Sequence, residues 1–155
     1  MKATKILVPL DGSTLAEAAL PRALELATAS GAPLVLLRAT QARAFPGADP
    51  IEAQLEAVRE SEAYLVEVAA RLEALGARDV RRAVWYGAPA PAIIDAAAFN
   101  QADLIVMTTH GRSGLGRLVM GSVAESVLRG TRVPILLLRD GTAPLAAAAG
   151  TAKAA

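Results

Sequence analysis

The sequence contains no cysteine, which removes disulfide bonds and thiolate metal centres from consideration. A reducing cytoplasm suits such a chain, and cytoplasmic residence is the expectation. Aromatic residues are almost as scarce. Two Phe, two Tyr and one Trp leave few stacking platforms for nucleic-acid bases and too few rings to sandwich a flavin. An excess of charge of either sign is also missing, with 16 Lys and Arg against 15 Asp and Glu and a formal net charge of +1. Bulk electrostatics therefore make no case for nucleic acid or an anionic membrane as partner. Alanine inflates the hydrophobic fraction of 54%, and no apolar run approaches the roughly 20 residues of a spanning helix. Near the N-terminus an apolar run is cut off by Asp11, too early for a signal peptide. The one histidine, His110, lies in GRSGL-type surroundings without the G-x-S-x-G spacing of a nucleophile elbow. No metal-ligating cluster accompanies it, and neither a catalytic nor a metal-binding residue is assigned.

What is present is a pattern. The 155 residues suffice for one domain with a core of its own. Strand-like runs fall at 5–10 (KILVPL), 33–39 (PLVLLRA), 80–86 (VRRAVWY), 103–108 (DLIVMT) and 133–139 (VPILLLR). Most are continuous rather than alternating, as in strands buried on both faces. Helical spacing links them over 14–30, 51–75, 89–100 and 122–130. Pro21 inside the first predicts a kink or an early-turn position. Asp49, Pro50 and Glu52 form a start signal for the second, with Gly76 as its stop. Alternating strands and helices imply a parallel sheet with right-handed crossovers. Residues 40–50 read as a mobile loop, and 140–155 as a low-complexity tail to a domain spanning 1–139.

Open sheets of this class bind ligands beyond the carboxyl ends of the strands, where the strand order reverses. For the order 3-2-1-4-5, that point lies between strands 1 and 4. Strand 1 ends in PLDGS and strand 4 in MTTHG, the two most polar glycine-bearing loops. The longer loop, 108–126 (TTHGRSGLGRLVMGSVAES), carries four glycines and two arginines, Arg112 and Arg117. Glycine-rich backbone can form an anion nest. Ser122 and Glu125 read as a capping box that opens a helix, whose free N–H groups attract a phosphate. The same glycines also suit an ordinary connector. Asp11 has two readings as well: a carboxylate accepting ribose hydroxyls, or a residue closing a turn before Gly12.

KILVPLDGS, GAPAPAIIDAA (87–97), ADLIVMTTHGRSGLGRLVMGSVAESVLR and VPILLLR together resemble the universal stress protein family, in order and over about 5–139. The resemblance implies an open, Rossmann-like parallel sheet of adenine nucleotide α-hydrolase-like type, ordered 3-2-1-4-5. The family's nucleotide-binding branch carries G-x2-G-x9-G-[ST]. Gly111, Gly121 and Ser122 satisfy its later positions, whereas the first glycine falls on Thr108, whose side chain would either crowd or line the nucleoside. On this resemblance Asp11 holds the ribose of ATP, flanked by Pro9 and Leu10. Ala39 meets the adenine through its backbone, Met107 closes the slot, and Gly111, Arg112, Gly121, Ser122 and Val123 contact the phosphates, with Mg²⁺ arriving on the nucleotide. Hydrolysis, if any, is expected to be slow, because no general base or loop lysine is evident. A homodimer through Val133 to Arg139 is implied, and the apolar edge strand independently calls for cover. The resulting expectation is an ATP-binding homodimer whose occupancy signals stress or energy state to a regulatory protein partner. The alternative is a stress-related interaction module that uses the same scaffold without nucleotide.

Overall fold

The computed structural model describes residues 2–43, 45–109 and 120–139. His110, Gly111, Arg112, Arg117 and the tail 140–155 lie outside the described residues. Five strands alternate with helices: β1 (Ile6–Pro9), α1 (Thr14–Glu17), α2 (Leu20–Ser30), β2 (Leu34–Thr40), α3 (Pro50–Ala74), β3 (Val80–Tyr86), α4 (Pro89–Phe99), β4 (Leu104–Thr109), α5 (Ser122–Gly130) and β5 (Ile135–Arg139). All described pairings are parallel, and the sheet runs β3-β2-β1-β4-β5. The predicted order is the observed one.

The continuous apolar runs are explained by cover on both faces. Ile6, Val8, Leu34, Leu36 and Val106 point to one side, where α2 and α3 supply Leu20, Ala23, Leu65, Val68 and Leu72. Leu7, Val35, Leu37, Ile105 and Met107 point to the other, against Ile93, Ala96, Ala97, Ala124 and Val127 of α4 and α5. The strands at the two borders, β3 and β5, are only half-buried.

Two local features differ from a simple helix reading. The segment 14–30 is two helices, because α1 stops after one turn and Pro21 occupies the first turn of α2, where its missing N–H costs nothing. In α3 the polar gap at Ser61 is buried, and its hydroxyl donates to the Ala57 carbonyl at 2.8 Å. The start signal of α3 is realised: Asp49 accepts from the Ile51 N–H at 2.8 Å, ahead of Pro50. Of the predicted loop 40–50, Thr40 belongs to β2 and Pro50 to α3.

Candidate functional site

The reversal of strand order between β1 and β4 opens a cavity of about 200 Å³ at the carboxyl ends of the strands. Nine of the eleven sequence-predicted residues line it. Pro9, Leu10 and Asp11 come from the end of β1, Ala39 from β2, and Met107 and Thr108 from β4, while Gly121, Ser122 and Val123 open α5. The other two, Gly111 and Arg112, lie outside the described residues.

Asp11 does the turn-closing work expected of an aspartate before glycine. Its Oδ1 accepts from the Ser13 N–H at 2.9 Å, and Ser13 in turn caps α1 by accepting from the Ala16 N–H at 3.1 Å. Gly12 between them has φ +85°, and a side chain there would meet the Arg38 guanidinium at about 3.5 Å. Asp11 Oδ2 makes no hydrogen bond among the described residues, and the side chain is exposed at the cavity mouth. One carboxylate oxygen thus builds the loop while the other is available to a ligand.

The two threonines that end β4 face opposite ways, as strand alternation requires. Thr108 turns its hydroxyl to α1, donating to the Leu15 carbonyl at 2.7 Å. The side chain standing where the family pattern has glycine is therefore held by the wall of the cavity. Thr109 shares a face with Met107, is only 7% exposed and lines the cavity, and its hydroxyl makes no hydrogen bond among the described residues. No fully enclosed polar side-chain atom lacks a partner among those residues. Thr109 was not anticipated from the sequence; its signal is a polar residue in phase with the core-facing Ile105 and Met107.

The start of α5 corrects another expectation. Gly121 is the N-cap, with no side-chain capping bond, and Ser122 is the first helical residue. From that position Ser122 cannot cap its own helix, and Glu125 pairs instead with Arg129 at 2.8 Å, so the capping box does not form. The consequence favours a ligand: the exposed Ser122 hydroxyl and the first N–H groups of α5 have no partners within the helix. Pro89 and Ile93 of α4, also unanticipated, join Leu37 and Ala39 to make the inner part apolar. Asp11 is the only charged side chain among the described lining residues. No group of three or more metal-ligating side chains occurs among the described residues, and no described helix is long and apolar enough to cross a membrane.

An apolar slot, a free carboxylate oxygen and a helix N-terminus in one cavity suit a flat ring carrying hydroxyls and an anion. Known proteins share the fold. The chain is 31% identical over 140 residues to universal stress protein MJ0531 of Methanocaldococcus jannaschii, covering 87% of this chain and 81% of that protein. It is 33% identical over 139 residues to universal stress protein Rv2005c of Mycobacterium tuberculosis, covering 87% of this chain but 45% of that longer protein. A universal stress protein solved in complex with cAMP superimposes with a TM-score of 0.72 at 26% identity, covering 92% of this chain and 100% of that one. The family model described as the universal stress protein family matches residues 2–139, and the chain belongs to that family.

Proposed function

We propose that this protein binds an adenine nucleotide, ATP in the first instance, and reports stress or energy state through occupancy of the cavity. The observation that carries the reading is the junction of the free Asp11 oxygen, the unpartnered Thr109 hydroxyl and the N-terminus of α5 around one apolar slot. The cAMP complex of a relative of similar fold supports the same chemistry. The base lies in the slot against the Ala39 backbone, with Met107 closing it and Pro9 and Leu10 along the sugar. Asp11 accepts from the ribose hydroxyls. The phosphates lie at the mouth against Gly121, Ser122 and Val123, together with Gly111 and Arg112 from outside the described residues, and Mg²⁺ rides on them. Thr108, bonded to Leu15, is compatible with this arrangement.

The functional unit in this reading is a cytoplasmic homodimer formed through the Val133 to Arg139 segment, where Ile135 to Leu138 of β5 are half-buried at the sheet border. Occupancy acts on a regulatory protein partner.

Calorimetric titration with ATP, AMP and cAMP tests the reading. Replacing Asp11 by Ala is expected to weaken ATP by about 10- to 100-fold, the loss of a hydrogen-bonded charged acceptor of about 1.5–3 kcal/mol. Binding of inorganic triphosphate, which has no sugar, should change little. Asp11→Asn, which keeps the turn acceptor, separates the ligand contact from the turn. No heat with the parent at millimolar nucleotide would refute nucleotide binding and leave the nucleotide-free interaction module.

A further inference from the structure

α1 is a single turn of four residues that fully buries none of its own side chains, and a helix that short has no stability of its own. It is nevertheless one wall of the cavity, through Leu15 and Ala16 and the preceding Ser13. Polar bonds from both sides hold it. From β4, Thr108 Oγ1 donates to the Leu15 carbonyl at 2.7 Å. From α3, the Tyr64 hydroxyl donates to Glu17 Oε1 and the Arg71 guanidinium to Glu17 Oε2, both at 2.9 Å. The Arg38 guanidinium also joins this assembly, 4.7 Å from the Tyr64 ring centre and beside Gly12. Helix α1 is thus strung between the central sheet and α3.

We propose that Glu17, Tyr64 and Thr108 are positioning residues for the cavity, setting its width by tethering α1 from opposite sides. The inference rests on the nucleotide reading above; Glu17 and Tyr64 do not line the cavity, whereas Thr108 does. Burial first, and then the bond to Glu17, push the Tyr64 phenol above its usual range, in keeping with its place as the donor to Glu17. The bond to Glu17 spans 47 positions of sequence and ties α3 to the cavity wall. By linkage the coupling is reciprocal: what loosens the tether weakens the ligand, and what fills the cavity steadies the tether.

The test measures AMP affinity and melting temperature in parallel for Glu17→Ala, Glu17→Gln, Tyr64→Phe and Thr108→Val. Each lost tether is expected to weaken AMP about three- to tenfold, in line with single hydrogen bonds of this type, when measured well below the melting temperature. Glu17→Gln, which keeps an acceptor for Tyr64, should recover most of the affinity lost in Glu17→Ala. Inorganic triphosphate should bind all variants like the parent. A role in stability alone would lower the melting temperature and leave AMP affinity unchanged, and that result overturns the proposal. Should Glu17→Ala fail to fold, Tyr64→Phe decides by the same criterion, because Tyr64 does not line the cavity. A parent that binds no AMP refutes the nucleotide reading itself, whereas a parent that binds with unaffected variants refutes only the tether.

Discussion

Replacing Ala39 by Trp is expected to abolish nucleotide binding, by at least about 100-fold or roughly 2.8 kcal/mol, while the protein stays folded. Along β2, Val35 and Leu37 point to the α4 side of the sheet, and alternation puts the Ala39 side chain in the same phase. Ala39 lines the cavity but lies near the end of its strand and is only half-buried. A larger side chain therefore grows into the open slot of about 200 Å³ rather than into packed core, avoiding the usual overpacking penalty of about 1–3 kcal/mol. An indole is comparable in size to the purine it would displace. Ala39→Val serves as the graded control, with a smaller loss. Calorimetry together with circular dichroism checks the pair of expectations. An Ala39→Trp variant that is folded and binds ATP like the parent would place the base somewhere else.

A proline at Leu137 is expected to convert the proposed dimer to monomer. The Ile105 N–H donates to the Pro134 carbonyl at 2.9 Å, and Ile105 is in register with Ile135. In a parallel ladder the bonding groups alternate, so Leu136 and Leu138 direct their N–H groups to β4, and Leu137 directs its own away from the sheet. Proline at that position removes a donor from the outer edge and keeps the pairing with β4, the one arrangement in which a strand tolerates it. Sedimentation velocity should show the parent near twice, and Leu137→Pro near once, the 15.9 kDa chain mass. A monomeric parent, or a variant that remains dimeric, would contradict assembly through β5.

Much of this architecture is legible in the sequence for one physical reason: strands covered on both faces must be largely apolar. β1, β2 and β4 therefore open as continuous apolar runs, and their order puts Asp11 and the end of β4 at the same end of the sheet. Local signals are less faithful where tertiary contacts compete with them. Ser122 has a capping sequence, yet Gly121 takes the cap and Glu125 turns to Arg129. The apolar spacing over 14–30 ignores the break before Leu20, because Ala18 and Ala19 are buried and continue the pattern through it. Thr109 reads as the polar end of a strand until its phase with Met107 is considered. The bond between Glu17 and Tyr64 has no local signature at all, since it joins residues far apart in sequence.

Crystals grown with excess ATP and Mg²⁺ provide the decisive test of nucleotide binding in this cavity. The expected density is a base between Ala39 and Met107, a ribose diol within hydrogen-bonding distance of the Asp11 carboxylate, and phosphates at the amino end of α5. A cavity that stays empty at saturating nucleotide, or ATP bound at another surface, would overturn the assignment.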